Sequence, residues 1–427
     1  MTTPKPGPAA DNEAEKLWRF VSPAQFEQNR PQEPTQEAVR HGLRTLWNRL
    51  PFNRPSQSES EIPEEARSLK SASLRWMDMA APPPQWDRVG GPGLDEGLHD
   101  WLEQGADAGA KAILVGPGAG VAEMVRAWGQ DQAIPILTPP SPEAILSGED
   151  WLAQVRKSGL AGDGRVILPG LERCYLRHPN GLDLVRGLLD LFLHKEIACL
   201  LTCDSWAWAY LNRTLHVESI VPAPLTLAPF DADALAAWFQ ELSGRHDRRA
   251  FTFRQVTNGR PVLSSASDHE ADQGESDEKA KTDREFLVHL AARSRGNPGV
   301  ARAIWRESLQ VNSLEEVDTK AQEEAAKDRG YTMWVNPWSK LTLPSLPNGA
   351  NRKEGFVLHA LLLHNGLPAA LLPHLLPLGP GEVVQILQRL RGARLVEGSE
   401  DRWYVSPLGY PAVRAFLAQR GFLTDVL

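Results

Sequence analysis

AKAILVGPGAGVAEMVRAWG, residues 110–129, is the stretch that decides how the chain folds. Residues 112–115 form a short apolar run typical of a buried strand, and a glycine-rich turn over 116–120 follows it. Beyond the turn, apolar side chains recur three and four residues apart and predict one buried face of a helix: Val121, Met124, Val125 and Trp128. A strand, a glycine turn and a helix in this order form the architecture that holds nucleotide phosphates.

The overall composition is that of a globular protein with a flexible portion. A chain of 427 residues predicts two or three domains, and its formal charge of -8 argues against a protein that coats nucleic acid. Three cysteines do not form a disulfide framework, so Cys199 and Cys203 are expected to be buried thiols rather than metal ligands. The polar, acidic opening is unlike a signal peptide, and the most apolar segment, 358–378, is interrupted by proline, histidine and asparagine. We therefore expect no membrane span and a cytoplasmic location.

The first 80 residues are rich in proline, glutamate, glutamine and serine. Such a segment buries too little apolar surface to order itself, so 1–80 is predicted to be a flexible, disordered arm. Two islands within it, LWRFVSPAQF (17–26) and HGLRTLWNRLPF (41–52), carry aromatic and aliphatic residues. Each island is either a short helix on the globular body or a docking peptide for a partner.

Residues 81–225 alternate between strand-like and helix-like segments. The predicted strands are 112–116, 133–137, 165–169, 197–203 and, as a fifth, 216–221. Helical stretches lie between them, which predicts βαβ units and an α/β fold with a parallel sheet.

The remainder of the chain divides into two further regions. Residues 226–350 are predicted to be helical, with a disordered acidic insertion at about 264–282. Residues 351–427 contain three helical stretches, two short strands (RLVE and RWYV) and a closing helix. Helices followed by a two-stranded ribbon predict a winged helix.

These parts, in this order, resemble the STAND and origin-recognition branch of the AAA+ P-loop ATPases. The resemblance covers roughly residues 82–427 and implies a parallel-sheet P-loop NTPase-like core, a helical lid and a C-terminal winged-helix domain. It also implies ATP or ADP as the ligand.

The phosphate-binding loop departs from the family pattern G-x-x-x-x-G-K-[ST]. Gly120 takes the place of the last glycine, Val121 stands where the lysine belongs, and Ala122 replaces the Ser/Thr hydroxyl that binds magnesium. The loop is also one residue too short, and Glu123 in the first turn of the helix would occupy the phosphate's place electrostatically. The turn supplies the remaining residues of a vestigial site: Gly116, Pro117 and Gly118.

The magnesium-binding strand is degenerate as well. The family places an acidic residue at the end of this strand, whereas Pro169 and Gly170 follow the apolar run here. The nearest acid is Glu172, and its neighbour Arg173 favours a surface ion pair over a repositioned catalytic carboxylate. No catalytic residue and no metal site are therefore predicted, and nucleotide binding is expected to be weak if it occurs.

Other family positions are better preserved. Ser205, beside Asp204, follows the fourth strand, where the family has a polar sensor residue. Pro298 of GNPG (296–299) resembles the lid proline that contacts adenine in STAND proteins, although this tetrapeptide is also an ordinary turn. Arg302 is interpreted as a solvated charge rather than a sensor arginine.

The recognition helix of the winged helix is GEVVQILQRLRG, residues 381–392. Gln385, Gln388 and Arg389 are predicted to be exposed, and such side chains can contact base edges or a protein partner. Glu400 and Asp401 at the wing tip would repel DNA phosphates, which favours a protein-interaction or lid-locking role.

The sequence as a whole predicts a degenerate, non-hydrolysing ATPase homologue that acts as a regulator or adaptor through its lid, winged helix and N-terminal arm. Protein partners are expected first and nucleic acid second, and the protein could form oligomers. Three alternatives stay open: an active ATPase with an atypical loop, a winged-helix DNA-binding protein, and a subunit offering Arg173 or Arg213 to a neighbour's site.

Overall fold

The structure, a computed structural model, describes residues 17–32, 66, 68–147, 151–161, 164–244, 251–263, 277–312, 331–398 and 401–427. The strands in these residues are β1 (Phe20–Val21), β2 (Leu69–Ser71), β3 (Ala110–Val115), β4 (Arg165–Pro169), β5 (Ala198–Asp204), β6 (Leu225–Leu227), β7 (Phe251–Gln255), β8 (Leu309–Asn312), β9 (Tyr331–Val335), β10 (Val396–Gly398) and β11 (Trp403–Val405). The helices are α1 (Pro23–Asn29), α2 (Leu74–Ala80), α3 (Gly91–Gly97), α4 (His99–Gln104), α5 (Val121–Asp131), α6 (Pro142–Ser147), α7 (Trp151–Ala161), α8 (Asp183–Leu193), α9 (Ser205–Leu215), α10 (Val217–Ile220), α11 (Ala232–Gly244), α12 (Asp277–Ser294), α13 (Pro298–Ser308), α14 (Arg352–Leu363), α15 (Leu372–Leu375), α16 (Pro380–Gly392) and α17 (Tyr410–Gln419).

The contacts between residues divide the chain into two compact units. Of the described residues, the first unit contains 17–29, 85–228 and 343–427, and the second contains 30–84 and 229–342. The winged helix therefore belongs to the same unit as the parallel-sheet core, because the helices of the winged helix pack on that core. Most of the predicted lid, residues 229–342, forms the second unit together with the described residues of the range 30–84.

The first unit is built on a five-stranded sheet in the order β1-β6-β3-β5-β4. Strands β6, β3, β5 and β4 are mutually parallel, and β1 is antiparallel at the edge beside β6. Every residue of β5 is buried, as expected of a central strand covered on both faces. The predicted α/β fold with a parallel sheet is confirmed.

Two of the predicted strands are wrong. Residues 133–137 make only an isolated bridge, Ile136 with Ile167, because Pro135 lacks a backbone N–H for a ladder. The segment 216–221 forms α10 instead, where the Glu218 N–H donates to the Asn212 side chain at 3.2 Å and fixes a helical turn. The parallel strand that follows β5 in the chain is β6, a few residues later.

The predicted disorder of 1–80 is also wrong for its described parts. Phe20 and Val21 pair with β6, Phe26 of α1 is buried, and residues 69–71 and 74–80 form β2 and α2. The first aromatic island thus packs on the core, because its apolar side chains outweigh its polar neighbours. The second island, 41–52, lies outside the described residues.

The second unit is not purely helical, which corrects the lid prediction. Helices α2, α11, α12 and α13 accompany a four-stranded sheet in the order β2-β8-β9-β7. The alternating aromatic and polar residues of FTFRQ account for β7, and the nearly continuous apolar run of YTMWV accounts for β9. Residues 264–276 of the predicted acidic insertion lie outside the described residues, whereas 277–282 belong to α12 rather than to a disordered loop.

The predicted winged helix is confirmed. Asn351 and Glu354 form a capping box that starts α14, and β10 pairs with β11 in an antiparallel ribbon. The inner face of α16 consists of four buried apolar residues: Val383, Ile386, Leu387 and Leu390. None of the helices in the described ranges is sufficiently long and apolar to cross a membrane.

Candidate functional site

The loop after β3 has the backbone shape that the sequence predicts. Gly118 and Gly120 have φ of +74° and +69°, a region that favours glycine, and the Ala119 N–H closes the turn on the Gly116 carbonyl at 3.1 Å. Helix α5 begins directly at Val121. The strand, turn and helix of a phosphate-binding loop are therefore all present.

The residue in the lysine position faces the core. Val121 is 0% exposed and belongs to the same buried face as Met124, Val125 and Trp128, so the predicted apolar face of α5 is confirmed. Ala122 is half-buried and Glu123 is exposed. Neither of the first two helix residues can supply a positive charge or a magnesium ligand.

The outer side of the loop is covered by an aromatic ring. The indole of Trp86 lies directly over Gly120, where even a Cβ atom would collide with the ring. Trp18, buried in the N-terminal segment, packs edge-on against Trp86 with ring centroids 6.0 Å apart. No sequence pattern predicts this contact, because Trp86 lies in a proline-rich stretch, PPPQWDR.

A second contact comes from the winged helix. A Cβ at Gly118 would lie 3.2 Å from Cγ of Pro407, in the short connection between β11 and α17. Side chains from two distant parts of the chain therefore pack on the two glycines of the turn that have positive φ.

Glu172 is buried, which corrects the prediction of a surface ion pair. The residue is 4% exposed, and its Oε2 accepts a hydrogen bond from the Asp204 N–H at 3.1 Å. The Asn365 side chain of the winged helix bonds to it as well. Its neighbour Arg173 is exposed instead.

Glu172 and Asp204 form a buried acidic pair at the carboxyl edge of the sheet. Burial raises the pKa of Glu172, against the lowering effect of its hydrogen bonds. Burial raises the pKa of Asp204 too, and the negative charge of Glu172 raises it further. Asp204 also caps α9 by accepting the Trp206 N–H at 2.9 Å, so its carboxylate is already used within the fold.

Ser205, the predicted sensor residue, is completely buried in a network with the C-terminal segment. Its hydroxyl donates to Oδ2 of Asp425 at 3.1 Å, and the Tyr410 hydroxyl donates to the same oxygen at 2.8 Å. Arg414 Nε donates to Oδ1 of Asp425 at 2.8 Å, and the Trp206 indole N–H donates to the Tyr410 oxygen at 3.0 Å. The sensor position is thus bonded to the protein's own carboxylate.

The lid residues singled out in the sequence have structural roles within the second unit. Pro298 is buried at the first position of α13, which Asn297 caps through the Val300 N–H. Arg302 is half-buried and donates to the carbonyls of Pro82 and Ala81 at 2.8 Å each. The interpretation of Arg302 as a solvated charge is therefore wrong.

The three contact candidates of the recognition helix differ from one another. Gln385 and Gln388 are exposed. Arg389 is exposed as well, but its guanidinium pairs with the buried carboxylate of Glu354. The charge of Arg389 is consequently neutralised within the winged helix.

The part of the chain that the structure describes contains neither a cluster of metal ligands nor a disulfide bond. No group of three His, Cys, Asp or Glu side chains is arranged to hold a metal ion there. Cys199 and Cys203 are buried free thiols, as the sequence predicts, and Cys174 is a buried free thiol as well.

The chain is similar in structure to origin-recognition and Cdc6 proteins. The ORC2 protein of Aeropyrum pernix, in ADPNP–ADP complexes, has 14% identity and a TM-score of 0.32, over 86% of this chain and 99% of that one. The ORC1 protein of the same organism, in complex with DNA, has 14% identity and a TM-score of 0.32, over 83% and 98%. Cdc6p of Pyrobaculum aerophilum has 13% identity and a TM-score of 0.29, over 77% and 93%. No family model matches the sequence, and no curated protein matches it either.

Proposed function

We propose that this protein is a non-hydrolysing protein with an AAA+-type fold that acts as a regulator or adaptor by binding other proteins. The observation that carries the proposal is the filled loop: Val121 is fully buried in the lysine position, and the Trp86 ring lies on Gly120. A nucleotide would have to displace that ring, and it would find neither a lysine nor a hydroxyl.

The acidic edge of the sheet supports the same proposal. A catalytic carboxylate has to be charged and in contact with magnesium or water. Glu172 is buried, hydrogen-bonded within the chain to the Asp204 N–H, and burial raises its pKa. Asp204 and Ser205 are likewise bonded within the chain.

The parts that the fold preserves support a proposed role in protein binding. The core and winged helix remain well packed although the groups for hydrolysis are absent, so the scaffold itself is the functional part. DNA binding through α16 is the second candidate, because Gln385 and Gln388 are exposed on its outer face. The pairing of Arg389 with Glu354 and of Lys353 with Glu382 removes positive charge from that face, which favours a protein ligand.

The experiment is a measurement of phosphate release from ATP by the purified chain with magnesium. We expect turnover at the background rate, and the same rate for Glu172→Gln. Turnover that Glu172→Gln abolishes would establish the active-ATPase alternative. Salt-sensitive duplex binding that Gln388→Ala weakens would establish the DNA-binding alternative instead.

A further inference from the structure

The N-terminal segment of the first unit, residues 17–29, contacts the ring that covers the phosphate-binding loop. Trp18 is 4% exposed and packs edge-on against Trp86, with ring centroids 6.0 Å apart. The Trp86 indole in turn lies on Gly120. A series of direct contacts therefore connects the N-terminal segment to the loop through one indole ring.

The surface beneath this segment leaves room for its backbone. A Cβ atom at Gly93 of α3 would lie 1.7 Å from the Trp18 carbonyl oxygen, so this close approach requires glycine. A Cβ at Gly97, one turn further along α3, would lie 3.2 Å from Cβ of Phe20. The two glycines thus give the segment a defined place on the unit, in which Trp18 is directed at Trp86.

The segment is attached to the sheet by a small number of contacts. Its strand β1 adds two residue pairs at the edge of the sheet, beside β6. Among residues 17–29 only Trp18 and Phe26 are buried. Short edge elements with few buried side chains open locally at a much lower free energy than that of global unfolding. The segment can therefore leave the sheet while the remainder of the unit stays folded.

We propose that residues 17–29, the N-terminal strap, form a releasable lock on the phosphate-binding loop. While the strap is bound, Trp18 keeps the Trp86 ring on Gly120. When the strap leaves, Trp86 loses its contact with Trp18, and the loop and the β6 edge become accessible together. An accessible sheet edge can pair with an extended segment of another protein.

The lock does not act on nucleotide binding. An opened loop still has Val121 and Ala122 where a nucleotide requires a lysine and a hydroxyl. Release of the strap instead exposes apolar surface, namely the side chains of Trp18 and Phe26 and the ring of Trp86. The lock therefore regulates which surface the protein presents to other molecules.

Amide hydrogen exchange of the full chain, measured by mass spectrometry on peptides that cover residues 116–124, tests the lock. The Ala119 and Met124 amides report on the loop, because each donates to a carbonyl of the turn at 3.1 Å. We expect Trp18→Ala to accelerate exchange in these peptides by at least about tenfold, because the loop opens locally more often. The matched control is Trp151→Ala, which removes a buried tryptophan from α7 of the same unit. It should leave exchange at 116–124 close to that of the parent.

A reversible crosslink tests the release of the strap within a single protein. Phe20 and Leu227 are paired across β1 and β6, so Phe20→Cys/Leu227→Cys can form a disulfide that fixes the strap on the sheet. We expect exchange at 116–124 to be slower in the oxidised protein than in the same protein after reduction. Mass measurement of the alkylated protein verifies that the crosslink has formed.

Three results overturn the inference: unchanged exchange at 116–124 in Trp18→Ala, equal acceleration by Trp151→Ala, or the same exchange in the oxidised and reduced forms of the crosslinked protein. These measurements contain no nucleotide. Their outcome is therefore independent of the phosphate-release experiment that tests the proposed function.

Discussion

Val121 determines which kind of loop this chain can form. Its side chain is 0% exposed, and burying a valine side chain stabilises a fold by about 1.5–3 kcal/mol. A lysine at this position would instead have to reach out of the core toward a phosphate. We therefore expect the loop to be stable without a ligand, because Val121 packs in the core.

The substitution Val121→Lys should destabilise the protein. It would place an ammonium group among Met124, Val125 and Trp128 without a partner, at a cost of about 2–4 kcal/mol in the free energy of unfolding. Urea denaturation with and without ATP measures this, and we expect no recovery with ATP. The control is Gln130→Lys, at an exposed position of α5. A Val121→Lys variant as stable as its parent, and stabilised by ATP, would show that the loop has kept an open site.

The contact between Trp86 and Gly120 can be isolated by a double-mutant cycle. Gly120→Ala adds a methyl group that collides with the indole at a position with φ of +69°. It should cost at least about 1 kcal/mol more in the parent than in a Trp86→Ala background, where only the backbone strain remains. Chemical denaturation of the four proteins gives the coupling. Additive costs would mean that the ring does not occupy the loop.

For individual helices and strands, the periodicity of apolar residues predicted the correct structure wherever the tertiary contacts favour the same structure. The strand–turn–helix of 110–129 and the buried face of α16 follow from periodicity alone. The segment 216–221 has a strand-like composition, but Val217–Ile220 is helical, and the Glu218 N–H in this turn donates to the Asn212 side chain. Strand β7 has a clear alternation of aromatic and polar residues, but the helical segments around it made the region look helical.

The C-terminal segment should hold the winged helix on α9 through one carboxylate. Asp425→Ala leaves Ser205, Tyr410 and Arg414 without their shared acceptor, which should cost about 3 kcal/mol because a buried ion pair loses one partner. Amide hydrogen exchange should accelerate together in 205–215 and 410–419. The exposed Asp401→Ala should change neither. Faster exchange confined to 410–419 would contradict a shared anchor.

For the whole molecule, the contacts that close the candidate site join residues far apart in the sequence. Trp86, Pro407 and Asp425 meet the loop or the sheet edge only in the folded chain, and no local motif marks any of them. The missing lysine and hydroxyl were visible in the sequence, since a motif states which residue belongs at each position. The side chains that fill the place of the lysine and the hydroxyl could be identified only from the tertiary structure.

The two buried histidines of the winged helix predict a loss of stability in acid. Burial lowers the pKa of His359 to about 4 and that of His364 to about 3, from 6.5. The unfolded chain therefore binds more protons than the folded chain as the pH falls from 6.5 toward 4. Stability should decline by about 1.4 kcal/mol per pH unit for each histidine over that range.

Comparison with His364→Gln separates the loss of stability caused by His364 from the effect of Glu172 and Asp204. The raised pKa values of these two carboxyl groups make stability rise, rather than fall, as the pH decreases. Between pH 4.5 and 6 the free energy of unfolding of the variant should vary less steeply, by about one histidine's share. Equal slopes for the two proteins, measured by urea denaturation, would mean that His364 is charged in the folded state.

We expect the phosphate-binding loop to take no nucleotide, because the chain's own side chains fill it. Isothermal titration calorimetry of the full chain with ATP and with ADP, each with and without magnesium, tests this most directly. We predict no binding heat above dilution in any of the four titrations. Saturable one-to-one binding of either nucleotide, lost on Gly120→Ala, would contradict the account.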